Sequence, residues 1–134
     1  MRVMLDTNIL ISAAAYPSPR TEHFMRLVTE HHRIVLCDYI VNEFRDVVAE
    51  KFPDKADSAA RFLQKIPFEL VYTQQGGKEL GVPAIRDIDD EPILATAIFE
   101  GVDVLVTGDK DFLSIELTEP RIMTMAEFVA ACGL

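Results

Sequence analysis

Val102-Asp103-Val104-Leu105-Val106-Thr107-Gly108-Asp109 is the stretch on which the fold of this chain turns. Val102 to Thr107 is the most strand-like run in the sequence, dominated by β-branched and leucine side chains, and it breaks into a Gly-Asp turn. A second apolar run, Val3-Met4-Leu5, also ends in an acid, Asp6. An apolar run without polar alternation suits a strand buried on both faces of a parallel sheet. In such sheets the carboxyl ends of the strands are where ligands bind, because loops from neighbouring strands converge there.

Outward from these two runs the chain alternates between strand and helix patterns. Val3 to Leu5 reads as a first, central strand, and Ile9 to Ala15 as a short helix broken by Tyr16-Pro17-Ser18-Pro19. Phe24, Leu27 and Val28 recur at helical spacing, so a second helix ends near His31-His32, before a strand at Ile34-Val35-Leu36. Asp38 is placed as the N-cap of a helix through Ile40, Val41, Phe44, Val47 and Val48 that Pro53 stops. A helix from Ala56 to Ile66 and a strand from Phe68 to Tyr72 follow, then an irregular stretch from Gln74 to Ile88. Ile93, Leu94, Ala97 and Ile98 mark another helix ending near Gly101. Beyond the opening stretch come a short strand, Arg121 to Met125, and a final helix, Ala126 to Ala131. The expected fold is α/β, a mostly parallel central sheet flanked by helices, in a single domain over residues 1–134.

The composition fits an ordinary folded domain, with 49% hydrophobic and 26% charged residues. No apolar leader and no run of about 18 apolar residues occurs, so a cytoplasmic protein with no membrane partner is expected. Cys37 and Cys132 lack metal-ligand spacing and read as packing thiols. A net charge of −9 argues against a surface that coats nucleic acid, but not against a nuclease, because bound cations would reverse the sign of an acidic site.

Four acids stand where strands end or helices begin: Asp6, Glu43, Asp90 and Asp109. Each has an ordinary explanation. Asp6 suits a helix cap before Ile9, and Asp109 a turn, although in an extended loop Asp109 and Asp111 would face the same way. On a helical wheel that starts at Ile40, the apolar residues centre near about +40°, Glu43 falls near about −60°, and Asp46 near about −120°. Glu43 therefore sits at the edge of the buried face. Asp90 points along the stripe of Ile93, Leu94, Ala97 and Ile98, whereas Asp89 lies about 100° away and is better placed to cap the helix. A carboxylate aimed at a core must be paired, capped or metal-bound.

Together the four acids would repel one another unless a cation lay between them. Oxygen ligands of this kind suit Mg²⁺ or Mn²⁺ and not zinc. Two such ions could activate water and stabilise the attacking and leaving oxygens of a phosphodiester. No other catalytic constellation competes. His23, His31 and His32 read as surface residues, Ser12 and Ser18 lack a Gly-x-Ser-x-Gly frame, and Gly76-Gly77-Lys78 lacks the spacing of a phosphate-binding loop. Arg20, Arg86 and Lys110 fall in predicted loops near the acids, as phosphate contacts or as solvated loop charges.

In these strings the chain resembles the PIN-domain family, including the toxins of VapC-like toxin–antitoxin modules. The strings are Met4-Leu5-Asp6-Thr7-Asn8, the Glu43 helix, Arg86-Asp87-Ile88-Asp89-Asp90-Glu91-Pro92-Ile93-Leu94-Ala95 and Leu105-Val106-Thr107-Gly108-Asp109-Lys110-Asp111-Phe112, in the family's order. The resemblance implies a Rossmann-like PIN fold and Mg²⁺- or Mn²⁺-dependent ribonuclease activity. It makes Asp6, Glu43, Asp90 and Asp109 the metal-binding acids, Asp111 an accessory, and Thr7, Asn8 and Thr107 polar neighbours. It also implies an RNA substrate, a homodimer and an antitoxin partner. The double acid Asp89-Asp90 leaves the register open by one residue. Alternatives are a housekeeping RNA-processing nuclease with the same motifs, a catalytically silent PIN-like binding module, and a phosphoryl-transfer α/β protein. A haloacid-dehalogenase-like phosphatase would carry Asp where this chain has Asn8, and a receiver would pair its acids at the end of the first strand.

Overall fold

The computed structural model describes residues 1–75 and 81–133. Its centre is a five-stranded parallel sheet of β1 (Arg2–Leu5), β2 (Arg33–Cys37), β3 (Phe68–Val71), β4 (Val104–Val106) and β5 (Arg121–Met123), in the order β3-β2-β1-β4-β5. The three inner strands are apolar on both faces. Val3, Met4, Leu5, Val35, Leu36 and all of β4 are fully buried, as continuous apolar runs in a helix-covered parallel sheet require. The edge strand β3 differs, with Leu70 60% exposed.

Among the described residues, seven α-helices flank the sheet: α1 (Thr7–Ala15), α2 (Pro19–His31), α3 (Asp38–Lys51), α4 (Ala56–Lys65), α5 (Glu91–Glu100), α6 (Lys110–Leu113) and α7 (Met125–Cys132). Their ends follow local chemistry. Ser18 and Thr124 form capping boxes with Thr21 and Glu127, and Gly101 closes α5 in the left-handed region at φ 63°. Phe24, Phe44, Phe112 and Phe128 fill the core between helices and sheet.

The strand order positions the site. The chain steps from β1 outward through β2 to β3, then returns to the other side of β1 to lay down β4 and β5. The switch falls between β1 and β4, whose register pairs Leu5 with Val106. The Asp6 N–H donates to the Val106 carbonyl at 3.0 Å, which carries the ladder one residue past the strand ends.

Three local expectations are corrected. Asp38 does not cap α3: the cap position is Cys37, with no side-chain cap, and the Asp38 carboxylate instead accepts from the Thr73 N–H at 2.7 Å and the Thr73 hydroxyl at 2.6 Å. The residues after Asp109 are not extended but form the short α6, which Asp109 caps by accepting from the Asp111 N–H. Arg20 and Lys110 lie in the first turns of α2 and α6 and not in loops, whereas Arg86 does precede α5 in a loop. Much of the irregular stretch after Gln74, including Gly76-Gly77-Lys78, lies outside the described residues.

Candidate metal centre

Asp6 is the fixed point of the centre. It follows β1, caps α1 and is only 3% exposed. One carboxylate oxygen accepts from the Thr7 N–H at 2.7 Å, and the other accepts from the Thr107 hydroxyl at 2.8 Å. The same Thr107 hydroxyl oxygen accepts from the Asp109 N–H at 3.0 Å. One buried threonine thus joins the acid after β1 to the acid after β4. Burial raises the Asp6 pKa from 3.8 to about 6, against the pull of the Thr107 and Thr7 hydrogen bonds; the charges of Glu43 and Asp109 push the same way as burial.

Asp90 ends a single 3₁₀ turn (Ile88–Asp90) ahead of α5. It is half-buried, whereas Asp89 is exposed. Its Oδ2 is buried and has no hydrogen-bond partner among the described residues. Burial, then the charges of Asp6, Asp109 and Asp87, raise its pKa from 3.8 to about 7. The cap expected of Asp89 belongs to Asp87, whose carboxylate accepts from the Asp89 N–H at 3.0 Å. The acid two residues before a donated N–H makes the closed turn, and Asp89 stands two positions too late.

Asp90, Asp109 and Asp111 each bring a carboxylate oxygen to within 4.8 Å of the others. Asp111 joins because α6 curls the chain back over its own cap. Asp6 and Glu43 lie outside this trio; Asp6 is within electrostatic reach of Asp90 and Asp109, and Glu43 within reach of Asp6. Glu43 is half-buried on α3 and Asp46 is exposed, as the helical wheel orders them. Thr7 is buried and its hydroxyl has no partner among the described residues, whereas Asn8 is exposed. Arg20, Arg86 and Lys110 are exposed and enter no ion pair among the described residues. Tyr39 carried no signal in the sequence, yet it belongs here. Its hydroxyl donates to the Asp89 carbonyl at 2.6 Å, and burial, Glu43, Asp89, Asp90 and Asp87 raise its pKa.

The residues present fit a divalent cation. The donor set is entirely hard carboxylate oxygen, and the orphaned Asp90 Oδ2 is a buried acceptor that a cation would satisfy. The architecture is a carboxylate centre at the switch point of a parallel α/β sheet. The PIN-domain family model matches residues 2–111, and the chain belongs to that family. PIN domains are generally nucleases that use divalent metals. No curated protein matches the chain. Two similar solved structures show the same fold. VapBC2 from Rickettsia felis bound to a promoter DNA fragment is 19% identical, with TM-score 0.68 over 92% of this chain and 97% of that one. DNA-bound VapBC from Salmonella typhimurium is 20% identical, with TM-score 0.67 over 93% and 98%.

Proposed function

We propose that residues 1–134 form a single PIN domain that hydrolyses RNA phosphodiester bonds as a Mg²⁺- or Mn²⁺-dependent endoribonuclease. The observation that carries this reading is the trio Asp90, Asp109 and Asp111 with its orphaned oxygen, set beside buried Asp6 at the sheet's switch point. Asp6, Glu43, Asp90 and Asp109 would hold the metal, with Asp111 as an accessory. Bound there, a divalent cation supplies Lewis-acid stabilisation of a phosphoryl oxygen and lowers the pKa of water. The protein's own part is to hold acids in place. Thr107 keeps Asp6 and the Asp109 backbone in fixed relation, and Asp109 in turn orders the start of α6. Arg20, Arg86 and Lys110 are the cations offered for the RNA backbone.

The domain is further proposed to act in the cytoplasm, as a homodimer, as the toxin of a toxin–antitoxin pair. The shared fold with two VapBC assemblies supports that role, and no helix among the described residues is long and apolar enough to cross a membrane. Cleavage of a mixed single-stranded RNA pool tests the activity: chelation should abolish it, and Mg²⁺ or Mn²⁺ should restore it. Full activity of rigorously metal-free protein would overturn it. The toxin role is tested by inducing the chain with and without an adjacent small open reading frame; equal growth in both would overturn that role.

A further inference from the structure

We infer that Tyr39 is a positioning residue for the carboxylate centre, its phenol fixing the backbone that carries Asp90 against the helix that carries Glu43. The inference rests on the reading of the centre as a cation site. Tyr39 and Glu43 are four residues apart on α3 and so lie on one face, one turn from each other. The phenol donates to the Asp89 carbonyl at 2.6 Å, and the next residue is Asp90. Among the described residues this is the one hydrogen bond that joins α3 to the turn Ile88–Asp90.

The clamp has a firm base. The Tyr39 N–H donates to the Thr73 hydroxyl at 3.0 Å, and Thr73 donates to Asp38 through both its N–H and its hydroxyl. Next along the loop, the Gln74 N–H donates to the Thr96 hydroxyl at 2.8 Å, and that hydroxyl donates to the Pro92 carbonyl at 2.7 Å. The loop after β3 is thereby tied both to the start of α3 and, through Thr96, to α5, and the phenol closes the circuit.

Among the described residues the Asp90 turn has few other hydrogen bonds. No side chain caps α5, and the Asp90 N–H makes a single bond, to the Asp87 carbonyl at 3.0 Å. Like charges on Glu43, Asp6, Asp90 and Asp109 push their elements apart, and the phenol opposes that separation. Its removal leaves every acid in place but lets the gap between Asp90 and Glu43 widen. A hydrogen bond at that gap bears on cation affinity through the placing of the acids.

Calorimetric titration with Mn²⁺ alone, on wild type, Tyr39→Phe and the control Tyr72→Phe, tests this. Tyr72 is 86% exposed, and its variant should match wild type. Tyr39→Phe should bind Mn²⁺ about tenfold more weakly, the lower end of what removal of an outer-shell partner does. Its metal-free melting temperature should stay close to wild type, and its cleavage deficit at low Mn²⁺ should close at saturating Mn²⁺. Equal Mn²⁺ affinity in wild type and Tyr39→Phe overturns the role of Tyr39 and leaves the centre standing, whatever melting does. A wild type that binds no Mn²⁺ overturns the reading of the centre, and the role of Tyr39 with it.

Discussion

The two ends of the same sheet treat acidic side chains in opposite ways. At the amino end Arg2 meets Glu69 at 2.8 Å and Glu100 at 3.2 Å, and its own N–H donates to Asp103 at 2.8 Å. At the carboxyl end Asp90, Asp109 and Asp111 come within 4.8 Å of one another beside Asp6, and no ion pair among the described residues reaches them. Charge at one end is neutralised by the fold itself. At the other it is left over, which costs stability and leaves a cluster of oxygens suited to a cation.

Breaking the carboxyl end should have the largest effect. Asp6→Asn and Asp90→Asn should each lower RNA cleavage by more than about a hundredfold, beyond the loss typical of an outer-shell partner. Neither should lower the metal-free melting temperature, because each removes a carboxylate from a crowd of like charge. A cleavage assay run beside thermal melting checks both, and a large loss of stability in Asp6→Asn would mean that the charged carboxylate's bonds to Thr7 and Thr107 outweigh the relief of like charge.

Breaking the amino end should do the reverse. Arg2→Met removes a partly exposed network, leaving Glu100 unpartnered and Glu69 with only Arg33 at 4.0 Å, so it should cost about 1–2 kcal/mol in denaturant melts, discounted for solvent screening. Metal-dependent cleavage by the folded variant should persist. Loss of cleavage at full stability would mean that the two ends are coupled.

Acidity sharpens the contrast without mutation. Asp6 and Asp90 have folded pKa values of about 6 and about 7, both raised from 3.8. Between the unfolded and folded values the native state binds more protons than the unfolded one, so stability falls as pH rises through that window. The metal-free melting temperature should therefore drop from about pH 4 to about pH 7 and flatten above it. Saturating Mn²⁺ should shrink or reverse the slope, since only ionised carboxylates bind. A metal-free melting temperature that rises over the window would contradict the two shifts.

The smallest effect separates neighbouring acids. Asp87→Ala removes the cap of the turn before α5 and should cost about 0.5 kcal/mol, at the low end for caps, with Asp89→Ala close to neutral. Melts of the two variants decide which residue closes the turn.

Consecutive residues alone dictate the alternation of strand and helix, the burial of Val3 to Leu5 and Val104 to Val106, and the standing of Asp6 and Asp109 just beyond strand ends. These are local properties. An apolar run, a Gly-Asp break and a 3.6-residue period are written in consecutive residues, so even the inward set of Asp90 and the boundary place of Glu43 could be read from helical wheels. Tertiary structure decided which distant groups meet. Thr107 reaches Asp6 across 101 residues because the chain reverses around β1, and Tyr39 reaches Asp89 across 50 because the loop after β3 folds back onto α3. Asp38 was free to cap its own helix and was taken by Thr73 instead, while the cap before α5 fell to Asp87. A carboxylate takes whichever donors the assembled fold brings to it, and no period in the sequence records where those donors will come from.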